Sequence, residues 1–353
     1  MRNSLKKSLV EIPGLAASFA AALFVLISCG GGGGKPPDDW PPINPPPQPG
    51  PADLRKERMD AVQSWGYVLQ FGEDATLEAL AATSFDLLVI DYSADGGDDG
   101  AFSADDIATL KSGKANRIVL AYLSIGEAED YRWYFDPAWV DEDGMPRLSA
   151  PDWLGPTNPD WPGNYKVRYW DGDWQALLMG DGGGEGYLDR IAVAGFDGVY
   201  LDIVDAYEYW GPDGDAYERD DAAFLMAQLV ARIAQRGRQL RGNSFLVVPQ
   251  NATHLYAELE TRYRDEYLEA IDGIGVEDVF FFGELDMDNP LNVQNDILAD
   301  LRALRQAGER ILSVEYLSNP TLLNAYFPLA RAEGFVPLAA GRELDAIPSP
   351  PPS

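Results

Sequence analysis

Eight short apolar runs recur along residues 53–347, and polar-rich stretches of helical period separate them. The runs occupy residues 65–71, 86–92, 117–123, 195–202, 245–250, 272–277, 310–316 and 335–339. They are mostly continuous rather than alternating, which predicts strands buried on both faces, the habit of a parallel sheet. Helices are predicted over 74–84, 103–112, 220–238, 253–270, 291–307 and 320–333. The second opens on S-A-D-D, a capping-box pattern, and the third carries apolar residues at 225, 229 and 233 on one face. Strand and helix in alternation predict right-handed crossovers, and eight such units predict closure into an α/β fold of the (β/α)8 TIM-barrel type. No helical pattern follows the eighth run. Residues 53–64 are expected to cover the barrel's bottom instead.

One connection breaks the rhythm. Residues 124–194, between the third and fourth runs, are far longer than a usual strand-to-helix link. They hold Trp133, Trp139, Trp153, Trp161, Trp170 and Trp174, six of the nine tryptophans. Residues 174–194 are expected to supply the third crossover helix and 167–170 a short extra strand. The rest is expected to sit over the barrel mouth. There some tryptophans offer faces for sugar rings, and about half bury a small core of their own.

The ends of the chain read differently. Arg2, Lys6 and Lys7 precede an apolar stretch over 15–27 that ends L-I-S-C-G. Its length suits a signal peptide better than a span, and its end resembles a lipobox. Residues 1–28 are expected to be a lipoprotein signal peptide, with the lipid on Cys29, the chain's only cysteine. Gly30 after it, rather than Asp, points to the outer membrane of a Gram-negative envelope. The Gly/Pro-rich stretch 29–52 is a tether by composition. Residues 348–353 form a Pro/Ser tail expected to be disordered.

Charge narrows the function. The chain carries 27 basic and 57 acidic residues, a net −30. Without residues 1–28, which hold three of the bases and one of the acids, 24 and 56 remain, a net −32. That opposes nucleic acid as a partner and is compatible with a cationic one. His254 is the only histidine, which opposes His-based metal sites and Ser-His-Asp triads. No metal and no cofactor are expected. Carboxylates are the abundant chemistry.

They collect at strand ends, where a barrel places its site. Tyr67 and Gln70 belong to the first strand and Asp91 to the second. The third carries Tyr122 and runs into S-I-G-E, Ser124 to Glu127. The fourth gives Asp202 and Asp205, the fifth Gln250 and Asn251, the sixth Glu277 and Asp278, and the seventh Glu315; Trp170 is expected from the excursion. A ring of acids and amides suits a polyhydroxylated ligand. Two acids across a mouth suit glycoside hydrolysis, one ionised and one protonated. Glu277 is the expected proton holder, because Phe280, Phe281 and Phe282 follow it closely. Asp278 competes for the role if the strand register slips by one.

The stretches S-W-G-Y-V-L-Q, D-L-L-V-I-D-Y-S, A-Y-L-S-I-G-E-A-E, Y-K-V-R-Y-W-D, G-F-D-G-V-Y-L-D-I-V-D-A-Y-E, V-P-Q-N-A and I-D-G-I-G-V-E-D together resemble glycoside hydrolase family 114. This is the endo-α-1,4-polygalactosaminidase family, whose bacterial and archaeal members were once mislabelled as related to cysteinyl-tRNA synthetase. The resemblance spans residues 64–340. It implies a retaining glycosidase acting on an α-linked galactosamine-containing or related exopolysaccharide, with Asp202 as nucleophile and Glu277 as acid/base. Fungal members end the fifth strand with Lys where this chain has Pro249 and Gln250, and a lost cation there bears on the sugar accepted. An α-galactosidase-like exo-enzyme and a catalytically silent carbohydrate-binding lipoprotein are the alternatives.

Overall fold

The computed structural model describes residues 52–349, apart from residue 74 and residues 181–185. The leader 1–28, Cys29, the rest of the tether to residue 51, and residues 350–353 of the tail lie outside the described residues.

The strands are β1 (Trp65–Val68), β2 (Leu87–Ile90), β3 (Ile118–Ser124), β4 (Glu127–Glu129), β5 (Leu154–Thr157), β6 (Asn164–Val167), β7 (Gly198–Asp202), β8 (Leu246–Pro249), β9 (Ile274–Glu277), β10 (Ile311–Tyr316) and β11 (Val336–Ala340). Each of the eight apolar runs holds one parallel strand, β3 and β11 each ending one residue past the run. The ladders form a five-stranded sheet, β1-β2-β3-β7-β8, and a three-stranded sheet, β9-β10-β11. Two seams join them. Gln250 bridges to Gly275 between β8 and β9. Across the other, the Trp65 indole donates to the Val336 carbonyl at 3.0 Å.

Alternation along the strands sorts two cores. Trp65, Tyr67, Leu87, Val89, Leu120, Tyr122, Tyr200, Val248, Val314 and Leu338 meet in one inner cluster. Leu88, Ile90, Val119, Leu123, Val199 and Leu201, of the opposite parity, pack outward among helix residues. Seven of the eight parallel strands feed the inner cluster, so the two sheets enclose one packed interior.

The helices are α1 (Ala52–Asp60), α2 (Leu77–Ala81), α3 (Ala104–Ser112), α4 (Gly172–Met179), α5 (Tyr187–Ala194), α6 (Ala206–Trp210), α7 (Ala222–Arg241), α8 (Leu255–Glu258), α9 (Thr261–Ala270), α10 (Asn295–Ala307) and α11 (Pro320–Ala332). Ser103 and Asp106 form the capping box of α3. On α7 the buried stripe is Met226, Leu229, Val230, Ile233 and Ala234, while Leu225 is half-buried. The helix expected over 253–270 is two, α8 and α9. As anticipated, α1 closes the bottom: Met59 and Val62 join the inner cluster, and Arg55 and Arg58 pair with Asp272 (2.7 Å) and Asp197 (3.1 Å), just ahead of β9 and β7.

The excursion corrects two expectations. It carries a three-stranded antiparallel sheet, β4-β6-β5, rather than one strand over 167–170. Of that stretch only Val167 is in a strand, because the Asp171 N–H closes a turn on the Arg168 carbonyl (2.8 Å) and Asp171 then caps α4. The third crossover is two helices, α4 and α5.

Gly275 is a parallel-strand position where a side chain would strike Tyr200, fully buried in the inner cluster. A Cβ there would meet the Tyr200 hydroxyl at 1.9 Å and its ring carbon at 2.4 Å. Overpacking of this kind costs about 1–3 kcal/mol. Gly275→Ala is therefore expected to lower the melting temperature by several degrees in a thermal scan. An unchanged melting temperature would mean that Tyr200 moves freely.

Candidate functional site

The top of the barrel opens into a cleft of about 900 Å3. Three successive barrel strands feed it in the same way. Asp202 ends β7, Gln250 follows β8, and Glu277 ends β9; each is succeeded by a residue in the left-handed region, Ile203 (φ 55°), Asn251 (φ 64°) and Asp278 (φ 52°). A β-branched residue such as Ile203 rarely adopts that conformation, and held strain of this kind gathers at functional sites. It turns the Ile203 N–H back onto Asp202 Oδ1 at 2.8 Å. Gly126, in S-I-G-E, lets the neighbouring chain pass: a Cβ there would lie 2.1 Å from the Ile203 carbonyl oxygen.

The two half-buried carboxylates are held by one set of donors. The Tyr122 hydroxyl donates to Asp202 Oδ2 at 2.6 Å. Gln250 Nε2 donates to Asp202 Oδ1 at 3.2 Å and to Glu277 Oε2 at 2.7 Å. The two bonds share a nitrogen, so the oxygens they join lie no more than 5.9 Å apart. Asn251 Nδ2 donates to Glu277 Oε2 at 2.9 Å, and the Tyr316 hydroxyl donates to Glu277 Oε1. The Tyr67 hydroxyl donates to Gln250 Oε1 at 3.2 Å, which fixes the amide's orientation.

Electrostatics leaves a proton in this pair. Burial, and then the charge of Glu277, push the Asp202 carboxyl up to about 8, against the Tyr122 hydrogen bond. Burial also raises Glu277, while Tyr316 and Asn251 hold it down. Two carboxyls this close resist double ionisation and titrate as a unit. The unliganded pair thus keeps one proton shared between Asp202 and Glu277.

A profile of glycoside-hydrolase family GH114 matches residues 46–349. Uncharacterized proteins of Methanocaldococcus jannaschii and Thermotoga maritima are 36% and 32% identical to the chain; the matches cover 80% of it and 77% and 81% of those proteins. The chain belongs to glycoside-hydrolase family GH114. It is a glycosidase, and its substrate is a carbohydrate. Among solved structures, a GH18 chitinase from Pseudoalteromonas aurantia aligns over 78% of this chain and 92% of its own, with a TM-score of 0.42 and 11% identity. A GH26 β-mannanase from Bacteroides ovatus aligns over 85% and 89%, with a TM-score of 0.39 and 13% identity.

Around the central pair, the GH114 cleft brings together Tyr67, Gln70, Asp91, Tyr122, Glu127, Asp205, Gln250 and Asn251, all singled out in the sequence. Asp91 and Glu129 grip the buried Arg132 guanidinium at 2.8 and 2.6 Å. Four other candidates do not line it. Trp170 packs edge-on against Trp210, centroids 5.6 Å apart, with Arg219 over its ring. Ser124 is buried, its hydroxyl donating to the Glu127 carbonyl at 2.9 Å. Asp278 turns to Arg342 at 2.8 Å. Glu315 sits on the outward parity of β10, buried, and accepts the N–H groups of Phe280 (2.7 Å) and Phe281 (3.1 Å). It braces the loop behind Glu277 instead of meeting a ligand.

Sequence reasoning missed Tyr316, Arg342, Lys166 and Tyr131 in the cleft. Tyr316 was within reach, since Leu312, Val314 and Tyr316 share one parity. Arg342, stacked over Tyr316 at 3.8 Å, comes from a loop with no pattern. Of the excursion's tryptophans only Trp161 lines the cleft, and it is 54% exposed. Trp153 and Trp174 are buried in the excursion's core, with centroids 4.9 Å apart.

Proposed function

We propose that the cleft is the active site of a retaining glycosidase that cleaves an α-linked galactosamine-containing or related polysaccharide, with Asp202 as nucleophile and Glu277 as general acid/base. The Gln250 bridge is the observation that supports this reading. Its limit of 5.9 Å suits the roughly 5–5.5 Å of a retaining pair better than the roughly 6.5–9.5 Å that inversion needs to seat a water. Asp202 attacks the anomeric carbon while Glu277 gives its proton to the departing glycosidic oxygen. Glu277, now ionised, takes a proton from water, and that water's oxygen displaces Asp202 from the sugar. The pair must enter with one proton, and the leaving oxygen of a bound substrate, as its acceptor, draws that proton to Glu277.

Incubation with α-1,4-linked galactosamine polymers, with products read by mass spectrometry and anomeric configuration by NMR, tests the reading. Oligosaccharides released with retained configuration are expected. Inverted products would remove Asp202 as nucleophile, and binding without cleavage would favour a silent carbohydrate-binding protein.

Trp161 is exposed on the cleft wall and offers a face for a sugar ring. Trp161→Ala is expected to weaken oligosaccharide binding about tenfold or less, in line with the roughly 0.5–1.5 kcal/mol of an aromatic contact, without moving the melting temperature. A large thermal shift with unchanged affinity would make it structural. At the other end of the chain, the lipobox-like L-I-S-C-G supports a lipid anchor on Cys29, with residues 29–52 as tether and 53–347 as the enzyme, at a bacterial outer membrane. Metabolic labelling with a fatty-acid analogue should mark the wild type and spare Cys29→Ala; equal labelling would end that reading.

A further inference from the structure

Tyr67, Tyr122, Tyr200 and Tyr316 all belong to the inner cluster beneath the carboxylate pair. Three of their hydroxyls are committed: Tyr67 to Gln250, Tyr122 to Asp202 and Tyr316 to Glu277. The fourth is not. Tyr200 is fully buried, and its hydroxyl has no hydrogen-bond partner among the described residues. A buried hydroxyl left unpaired costs stability, and one kept in an interior calls for a reason. Its position supplies one. Tyr200 lies two residues before Asp202 on β7, so the two share the inward side. Its ring packs against Trp65 and Tyr67, with centroids 6.2 and 5.3 Å away. Its hydroxyl reaches β9 and takes the place of the side chain that Gly275 lacks, where a Cβ would lie 1.9 Å from it. Gly275 pairs with Leu312 and Glu277 with Val314, both of the inner cluster, so Gly275 and Glu277 face the same side. The uncommitted hydroxyl thus sits beneath Glu277, two residues down its strand.

We propose that Tyr200 is a positioning residue for proton transfer: its uncommitted O–H dipole turns toward Glu277 as that group ionises, and so makes Glu277 a stronger acid. The proposal rests on the reading of Glu277 as acid/base, and the experiment separates the two. In that reaction the negative charge of the pair moves. It begins on Asp202. Once the proton has passed to the leaving oxygen and Asp202 is bonded to the sugar, the charge lies on Glu277. The Tyr122 hydroxyl and the Ile203 N–H serve Asp202 and stay behind. A hydroxyl bonded elsewhere cannot follow the charge, whereas one without a partner rotates to suit it. In a low-dielectric interior such a dipole acts on a nearby charge without touching it. Burial, and then the charges of Glu277 and Asp202, push the Tyr200 phenol up, so it stays neutral and works as a dipole rather than as an acid.

Tyr200→Phe removes the dipole and keeps the ring. Its melting temperature should hold or rise, because no hydrogen bond is lost. Turnover of an α-1,4-linked galactosamine polymer should fall about tenfold, short of the roughly 10²–10³-fold for a donor in direct contact. Turnover of an activated aryl α-galactosaminide, whose leaving group needs no proton, should stay within about twofold. Glu277 loses a stabiliser of its charged form, so the basic limb of the activity profile should move to higher pH. Infrared titration of the carboxyl bands should show the same shift without substrate. Tyr169→Phe is the control: Tyr169 is also fully buried, but its hydroxyl donates to the Ala222 carbonyl at 2.8 Å. That change should lower the melting temperature and leave the basic limb and the leaving-group dependence in place. Equal losses on both substrates, or a basic limb that stays put in Tyr200→Phe, overturn the proposal. A fall in melting temperature like that of Tyr169→Phe, with the carboxyl bands unmoved, makes the hydroxyl structural and overturns it as well. Cleavage by wild type with those bands unmoved in Tyr200→Phe sinks the proposal alone. Wild type that cuts neither substrate sinks the acid/base reading and the proposal with it.

Discussion

Asp202→Asn is expected to lower polysaccharide hydrolysis by at least about 10³-fold, toward the upper range for loss of a positioned catalytic group, while the protein stays folded. The amide is nearly isosteric, can still meet Tyr122 and Gln250, and cannot attack carbon. The same substitution should alter stability with a definite sign. Asp202 ordinarily ionises near 3.8 and is pushed up to about 8 in the fold. Its raised value contributes stability that is full below about pH 4 and is lost as pH rises through about 8. Asn has no such dependence. The melting temperature of Asp202→Asn minus that of wild type should therefore grow between about pH 4 and pH 8 and level off above. A difference that shrinks over this window would mean that the folded state holds Asp202 ionised. Loss of activity with Asp205→Asn but not with Asp202→Asn would move the nucleophile three residues along the chain.

The barrel was legible because burial on both faces leaves a strong mark. Continuous runs such as Leu87–Ile90 can be little else, and each parallel strand falls on its predicted run, β3 and β11 passing its end by one residue. Strand ends were legible for a related reason: Asp202 and Glu277 directly follow apolar residues that must be inside. Side-chain direction was harder. Glu315 and Tyr316 are neighbours, and only parity separates a buried brace from a cleft residue. The excursion was least legible. Its indoles look alike in sequence, but Trp174 fills a core while Trp161 meets solvent, and tertiary packing alone decides which. Gln250 shows what a motif conceals. V-P-Q-N-A marks a turn, whereas the structure makes its amide the link between two acids.

Glu277→Ala should divide substrates by leaving group. Without a proton donor, departure of a sugar alkoxide becomes slow, and turnover of the polymer should fall by about 10²–10⁴-fold. An activated aryl glycoside needs no proton, so its glycosylation step should be nearly spared and glycosyl-enzyme should accumulate. Added azide should then restore turnover. It attacks the anomeric carbon, releases the Asp202 carboxylate, and being an anion needs no base; the glycosyl azide should keep the configuration of the substrate. Asp278→Ala tests the neighbour. Asp278 pairs with Arg342, and its charge raises Glu277 while that of Arg342 lowers it. Removing Asp278 leaves Arg342 unbalanced over Tyr316, so Glu277 should ionise at lower pH. Wild-type activity should fall above about pH 8, where the pair loses its last proton, and in Asp278→Ala that limb should move to lower pH with the dependence on leaving group intact. If Asp278→Ala instead takes on the leaving-group dependence and azide rescue expected of Glu277→Ala, the proton donor is Asp278.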